Sequence, residues 1–153
     1  MHLYLSSFLL GNRAGDLATL VHTQKAAIVA NALDHASSSV RREYAEGQIL
    51  EFSRLGFEAG ELDLRDYFDS RRDLSTVLDA VGLVWVTGGN SFLLRRAMKQ
   101  SGFDAYITEH RASDRLVYGG FSAGACVAGP TLRGLDIVDA PDAWAEGYVN
   151  EVT

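Results

Sequence analysis

A serine between glycines, Gly120-Phe121-Ser122-Ala123-Gly124, is the segment of this sequence best suited to covalent chemistry. An apolar stretch at residues 116–119 precedes it, and small residues typical of a helix start follow it. A G-x-S-x-G pattern between a strand and a helix is typical of a nucleophile elbow, a sharp turn that exposes a serine hydroxyl. The glycines leave room for a strained backbone, since side chains there would collide with neighbouring main chain. We predict that Ser122 is a nucleophile; a chance match in a glycine-rich loop is the alternative.

A second glycine turn, Gly88-Gly89-Asn90, follows the apolar run of residues 81–87. Such a run is typical of a strand buried on both faces, and the leucine spacing after the turn predicts a helix that Asn90 or Ser91 can cap. Glycines at the end of a strand let a substrate approach the backbone. Backbone N–H groups from this turn and from Ala123 can then stabilise an oxyanion. An ordinary strand-to-helix turn with a capping asparagine is the alternative.

Strand and helix patterns alternate along the whole chain, which positions both turns. Alternation of this kind implies parallel βαβ units with right-handed crossovers, in which ligands bind beyond the carboxyl ends of the strands. The predicted fold class is therefore α/β, a three-layer parallel sheet with helices on both faces. The patterns predict strands at residues 3–5, 26–32, within 57–64, 81–87 and 116–119, and helices at 16–21, 37–55, 73–80, 93–98, 103–111 and from 123 onward.

Composition excludes several classes of protein. The 153 residues suit one compact domain, 1–153, and 47% apolar with 22% charged residues is typical of soluble globular proteins. No apolar run approaches the ~20 residues that cross a bilayer. A net charge of −6 argues against nucleic acid or an anionic membrane as partner. A single cysteine, Cys126, and a first segment without signal-peptide features lead us to expect a cytoplasmic protein.

Together the two glycine turns resemble one family. The loop Gly88-Gly89-Asn90-Ser91-Phe92, followed some thirty residues later by Ser122-Ala123-Gly124-Ala125, is similar to the serine-peptidase family of dipeptidase E (aspartyl dipeptidase) and cyanophycinase. The similarity continues through residues 129–139 and covers most of the chain. The resemblance implies a class I glutamine-amidotransferase-like fold, related to flavodoxin-like sheets. It also implies hydrolysis of short peptides next to aspartate by a serine, a histidine and an acid, with no cofactor and no metal.

The resemblance also implies a role for individual residues. A short gap near Gly134 leaves two candidates for the acid, Asp136 first and Asp139 as the alternative. The remaining roles are Ser122 as nucleophile, the N–H groups of Gly88 and Ala123 as oxyanion hole, and Gly89 with Asn90 as substrate contacts.

The sequence departs from the family in its histidines. The family's catalytic histidine follows the acid in a Pro-His context, whereas the four histidines here, His2, His22, His35 and His110, all precede Ser122. We therefore expect the chain to lack the C-terminal part of the family pattern and to be a poor hydrolase alone. An exposed sheet edge would then favour a homo-oligomer or pairing with a complementary polypeptide. If the chain is active by itself, His110 is the first candidate base.

Two other functions stay open at this point. The first is a non-catalytic α/β binding or interaction module on the same scaffold. The second is an esterase of the α/β-hydrolase type, which also uses Gly-Phe-Ser-Ala-Gly, although the Gly-Gly-Asn-Ser-Phe element argues against it. A histidine within hydrogen-bonding distance of Ser122 would separate the peptidase from the binding module.

Overall fold

A computed structural model of the chain describes residues 1–69 and 71–149. Within these residues the strands form a five-stranded sheet in the order β1-β5-β4-β2-β3, and every neighbouring pair is parallel. The predicted parallel α/β architecture is confirmed. The strands are β1 (His2–Ser6), β2 (Lys25–Val29), β3 (Glu58–Glu61), β4 (Leu83–Val86) and β5 (Val117–Phe121).

Helices connect the strands and cover both faces of the sheet. The α-helices of the described residues are α1 (Ala14–Leu20), α2 (Ser38–Arg54), α3 (Leu74–Leu78), α4 (Ser91–Gln100), α5 (Phe103–His110) and α6 (Ala123–Cys126). Short 3-10 turns lie at Asn31–Leu33, Leu64–Tyr67 and Leu135–Ile137.

Two hydrophobic clusters, one on each face of the sheet, give the three layers predicted from the sequence. On one face, Leu17 of α1 and Phe52 of α2 pack with Ile28 and Trp85 of the sheet. On the other face, side chains of α3, α4 and α5 pack with the alternate residues of the same strands. All residues of β4 and β5 are buried, as expected of central parallel strands. The second cluster includes Leu78, Leu93, Ala97, Phe103, Val84, Val86 and Tyr118.

Two strands end before the last apolar residues of the segments in which they were predicted. The strand expected at residues 26–32 ends at Val29, and residues 31–33 form a 3-10 turn. The strand expected within residues 57–64 ends at Glu61, although Leu62 and Leu64 beyond it are buried. Apolar residues continue past both strand ends because they pack into the core below the carboxyl edge. Hydrophobicity alone therefore does not show where the hydrogen bonds between strands stop.

The β1 strand is left at an edge of the sheet. Its neighbour on one side is β5, and within the described residues no strand pairs with its other side. Leu3 and Leu5 are 56% and 47% exposed, and Phe8 after the strand is exposed as well. Elsewhere, no described helix combines the length and the apolar character that a membrane crossing requires.

Candidate active site

Ser122 occupies a strained backbone position between β5 and α6. Its φ of 50° and ψ of −117° lie outside the regions that most residues adopt. In the described part of the chain, Leu9 is the only other non-glycine residue with positive φ. The Ser122 side chain is exposed, and its hydroxyl makes no hydrogen bond to another described residue. This strand–turn–helix geometry is that of a nucleophile elbow, as the G-x-S-x-G pattern predicted.

The glycines beside the serine are required by close backbone contacts. A Cβ atom on Gly124 would lie 2.1 Å from the carbonyl oxygen of Val86. A Cβ atom on Gly120 would lie 2.8 Å from the carbonyl carbon of Gly124. Both distances are far below van der Waals contact, so the start of α6 rests directly on the end of β4 only because these residues lack side chains.

The two glycine turns lie side by side at the carboxyl edge of the sheet. Strands β4 and β5 are hydrogen-bonded neighbours, and each ends in one of the turns. A Cβ atom on Gly88 would lie 3.2 Å from the Cβ of Ser122 and 2.9 Å from the ring of Phe121. Neither the N–H of Gly88 nor that of Ala123 donates to an acceptor in the described residues. Both N–H groups are therefore without an acceptor in the described residues, and their role as oxyanion donors stays a prediction.

Asn90 holds the second turn in place. Its side-chain oxygen accepts a hydrogen bond from the N–H of Leu93 at 2.9 Å, which caps α4. Its side-chain nitrogen donates to the carbonyl oxygen of Ala140 at 2.9 Å. The capping role expected from the sequence is present, and contact of Gly89 and Asn90 with a substrate stays a prediction.

The two candidate acids have different surroundings. Asp136 lies in an exposed 3-10 turn, and its carboxylate makes no hydrogen bond with the described residues. Asp139 is half-buried and accepts a hydrogen bond at 2.9 Å from the N–H of Ser91, at the start of α4. A carboxylate at that position is favoured by the helix dipole. The sequence did not reveal this contact, because 48 residues separate the two partners.

Three of the four histidines lie away from Ser122. His2 begins β1, His22 precedes β2, and His110 ends α5 just before β5, so all three lie at the amino edge of the sheet. His110 stacks on the ring of Tyr106 with centroids 4.1 Å apart. The choice of His110 as first candidate base is therefore wrong, because a crossover helix runs back and ends at the edge opposite the elbow. His35 follows β2 at the carboxyl edge and is exposed.

A buried network of charged groups lies beside the turn that follows β2. The Asp34 side chain is fully buried and pairs with Arg41, which also binds Glu61 at 2.5 Å. Burial by itself would raise the pKa of Asp63, but hydrogen bonds from Arg65 and Asn31 and the charge of Arg41 lower that pKa to about 2. Sequence reasoning missed this network, because its members come from separate elements.

Metal ligation has no candidate in this region. Among residues 1–69 and 71–149, no group of three His, Cys, Asp or Glu side chains is placed to hold a metal ion. Cys126, four residues after Ser122, is a half-buried free thiol.

A parallel α/β sheet that presents a strained serine at its carboxyl edge defines the class of proteins built around a nucleophile elbow. Within this class the chain belongs to peptidase family S51, whose family description matches residues 20–149. The family resemblance expected from the two glycine turns is thereby confirmed.

Similar proteins come from Listeria. An uncharacterized peptidase of Listeria innocua serovar 6a is 33% identical over 98 residues, which are 64% of this chain and 46% of the relative. An uncharacterized peptidase of Listeria monocytogenes serovar 1/2a is 33% identical over 97 residues, 63% of this chain and 46% of the relative. The chain thus spans about half the length of the curated relatives it matches.

A solved structure shares the fold. The crystal structure of a "Putative Peptidase E Protein" from Listeria monocytogenes EGD-e superposes with a TM-score of 0.65 at 24% identity. The superposition covers 90% of this chain and 66% of the Listeria chain. At this level of identity the similarity concerns the fold.

Proposed function

We propose that the chain carries the nucleophile and oxyanion hole of a serine peptidase of the dipeptidase E kind, acting on short peptides with an N-terminal aspartate. The observation that supports the proposal is the position of Gly88 beside Ser122, where a Cβ on the glycine would lie 3.2 Å from the serine Cβ. Family S51 membership and the peptidase E name of the structural neighbour agree with it.

The chemistry follows from the groups at the elbow. The Ser122 oxygen attacks the carbonyl carbon of the scissile peptide bond while a base removes the hydroxyl proton. The N–H groups of Gly88 and Ala123 stabilise the oxyanion of the tetrahedral intermediate. The base then delivers the proton to the leaving amine, and an acyl-enzyme ester remains. A water molecule, deprotonated by the same base, attacks the ester carbonyl. The base returns the proton to the departing Ser122 oxygen, and the carboxylic acid is released. This sequence of steps needs no metal or organic cofactor.

The proposed base is a histidine. No histidine follows Ser122 in the sequence. The chain spans about half the length of its curated relatives. We therefore assign the base to a segment that a family-length protein has and this sequence does not include. That segment belongs either to the same polypeptide or to a second one. His35 is the alternative within the chain, since it lies at the same edge of the sheet as Ser122.

We assign the acid of the triad to Asp136 and give Asp139 a structural role. Asp136 is exposed, so its carboxylate can receive the N–H of an incoming imidazole. Asp139 already accepts a hydrogen bond from the N–H of Ser91, which ties it to the start of α4.

We propose that another polypeptide joins at the edge strand β1. Its outer side has no partner in the described residues, and Leu3 and Leu5 expose apolar surface. Unpaired strand edges with apolar side chains favour pairing with another chain. A second polypeptide here would pair with β1, one strand away from β5, the strand that ends at Ser122. We propose a cytoplasmic location for the assembled enzyme, in keeping with the single cysteine.

The test is hydrolysis of aspartyl dipeptides by the purified chain and by a family-length protein that contains it. Ser122→Ala should abolish turnover in the family-length protein, and Ser113→Ala, at the opposite edge, should not. The shorter chain should retain at most the residual activity of an enzyme without its base, about 10⁴-fold over water or less.

Each result has a clear meaning. Full turnover by the Ser122→Ala protein would exclude serine catalysis. Robust Ser122-dependent turnover by the short chain would place the base within it, and loss of that turnover in His35→Ala would identify His35. Binding of peptides without any hydrolysis, in both proteins, would favour the non-catalytic module.

A further inference from the structure

Asp34 is the centre of a buried hydrogen-bond network at the carboxyl edge of the sheet. Its carboxylate is fully buried and accepts hydrogen bonds from Asn31 Nδ2 at 2.7 Å, from Arg41 Nε and from the hydroxyl of Tyr148. Arg65 Nε lies 3.5 Å away and adds a second positive charge. A buried carboxylate with this many donors is held in one place, because any movement leaves donors unpaired in a dry environment.

The same turn supports the glycine loop of the proposed oxyanion hole. Asp34 ends the 3-10 turn of residues 31–33, and the carbonyl oxygen of Ala32 in that turn accepts the N–H of Asn90 at 2.9 Å. Gly89 packs on the same carbonyl group, since a Cβ atom on Gly89 would lie 2.5 Å from the Ala32 oxygen. The position of the turn therefore sets the position of the loop that ends β4.

A second path links Asp34 to the other side of that loop. Residues 139–149, which we call the C-terminal strap, lie along α4 and are bound to it by Asn90, Arg96 and Gln100. Within the strap, Ala140 accepts a hydrogen bond from the side chain of Asn90. Tyr148 near its end donates its hydroxyl to Asp34. The strap thus returns to Asp34, and the contacts form a closed ring that passes through Asn90.

Tyr148 is suited to this contact. Its ring is buried and packs edge-on against Phe68 at a centroid distance of 5.1 Å. Burial, followed by the charge of Asp34 and the hydrogen bond to it, raises the pKa of Tyr148. The hydroxyl therefore stays protonated and remains a donor to the carboxylate throughout the neutral range.

We propose that Asp34 and Tyr148 are positioning residues for the Gly88–Asn90 loop, acting through Ala32 on one side and through the strap on the other. The inference rests on the proposed function for its catalytic meaning, because the loop carries the Gly88 donor. It makes a structural claim that is measurable without turnover: the loop changes when the Tyr148 hydroxyl is removed, although no atom of Tyr148 belongs to the loop.

The test is amide hydrogen exchange and ¹H–¹⁵N spectroscopy of the chain with Tyr148→Phe. Tyr106→Phe is the matched control, because the Tyr106 hydroxyl also donates to a carboxylate, Asp79 Oδ1 at 2.7 Å, but near the amino edge. In Tyr148→Phe we expect the Asn90 amide to exchange about tenfold faster and the Gly88 and Gly89 amide resonances to shift. Amides of β4 and β5 should keep their protection, and Tyr106→Phe should leave the loop unchanged.

A second variant, Asp34→Asn, distinguishes an effect on the loop from general destabilisation of the protein. Asp34→Asn keeps the shape of the side chain but removes its charge, and it should accelerate exchange at Asn90 at least as much as Tyr148→Phe. Equal acceleration at every core amide would show general destabilisation and overturn the proposal, as would an unchanged loop in both variants. Loss of loop protection in a protein whose Ser122→Ala variant remains fully active would uphold the positioning link and refute the serine mechanism instead.

Discussion

The space around its glycines decides which side chains the elbow tolerates, because a Cβ atom added at Gly120 or Gly124 would lie less than 3 Å from neighbouring backbone. A Cβ atom on Gly124 would lie 2.1 Å from the carbonyl oxygen of Val86, so the position has no space for even one methyl group. Ser122 keeps its positive φ because the strand before it and the helix after it over-determine its backbone. The accessible hydroxyl is thus a product of steric fit between two elements.

Gly124→Ala should destabilise the protein by about 3 kcal/mol, because a Cβ 2.1 Å from a backbone oxygen forces α6 away from β4. Gly47→Ala is the control, since no atom lies within 4 Å of the Cβ it would add in the middle of α2. That variant should gain about 0.5–1 kcal/mol from helix propensity. Urea unfolding of both variants measures the difference, and similar midpoints would show that the elbow is not tightly packed. The stability of Cys126→Ser should lie between those of Gly124→Ala and Gly47→Ala.

The charge of Asp63 makes stability depend on acidity. Its folded pKa of about 2 lies below the ordinary 3.8, so the ionised form stabilises the fold. This contribution is complete above pH 4 and is lost as the pH falls through 2. Between pH 5 and pH 2, the unfolding free energy of the parent should therefore fall by about 2 kcal/mol more than that of Asp63→Asn. Denaturant titrations at several pH values measure it.

The control for this pH dependence is Glu46→Gln, an exposed carboxyl on α2. The unfolding free energy of Glu46→Gln should stay within about 0.5 kcal/mol of that of the parent between pH 5 and pH 2. If Asp63→Asn and Glu46→Gln behave alike, Asp63 does not act through the buried network.

At the scale of elements, helix α4 is fixed at its start by two side chains from different places in the sequence. Asn90 caps it locally, and Asp139 reaches the N–H of Ser91 from the C-terminal strap. The helix carries the loop of Gly88 on one end and contacts the strap along its length. Its N-terminus is therefore where the Gly88–Asn90 turn and the strap are joined.

Asp139→Ala should lower the unfolding free energy by about 1 kcal/mol, since it removes an acceptor and a negative charge at a helix N-terminus. Asp136→Ala should change it by less than about 0.5 kcal/mol, because that side chain is exposed. For the activity of a family-length protein we expect the opposite ranking: Asp136→Asn should lower peptide hydrolysis more than Asp139→Asn. Loss of activity in Asp139→Asn alone would make Asp139 the triad acid.

At the scale of the whole molecule, apolar surface is concentrated where the described chain leaves elements uncovered. Leu3, Leu5 and Phe8 are exposed at the β1 edge, and Val138 and Trp144 are exposed in or before the strap. Isolated exposed apolar residues are common, but a strand edge with two of them invites further pairing.

The chain should elute above its monomer mass of 16.6 kDa at micromolar concentration. The double variant Leu3→Lys, Leu5→Lys should return it to the monomer, because charged side chains on an edge strand block pairing. Leu50→Lys, which changes an equally exposed leucine on α2, should not. Light scattering during size exclusion measures this, and a monomeric parent would show that the β1 edge is protected.

The sequence by itself determined the fold class and the elbow. Alternating buried runs and amphipathic helices fix a parallel α/β sheet, because each pattern can bury its apolar face in only a few ways. The glycines around Ser122 marked the turn, since their absence of side chains is a local requirement. The carboxyl-edge placement of both glycine turns follows from parallel topology alone.

Only the tertiary structure decided which distant residues meet. Asp34 and Tyr148 are 114 residues apart, and Asp139 reaches Ser91 across 48. His110 was misjudged for the same reason, because a helical pattern does not state at which edge of the sheet the helix ends. Composition and periodicity predict whether a residue is buried. Which residue it contacts in the folded protein depends on strand order and on the path of the chain between elements.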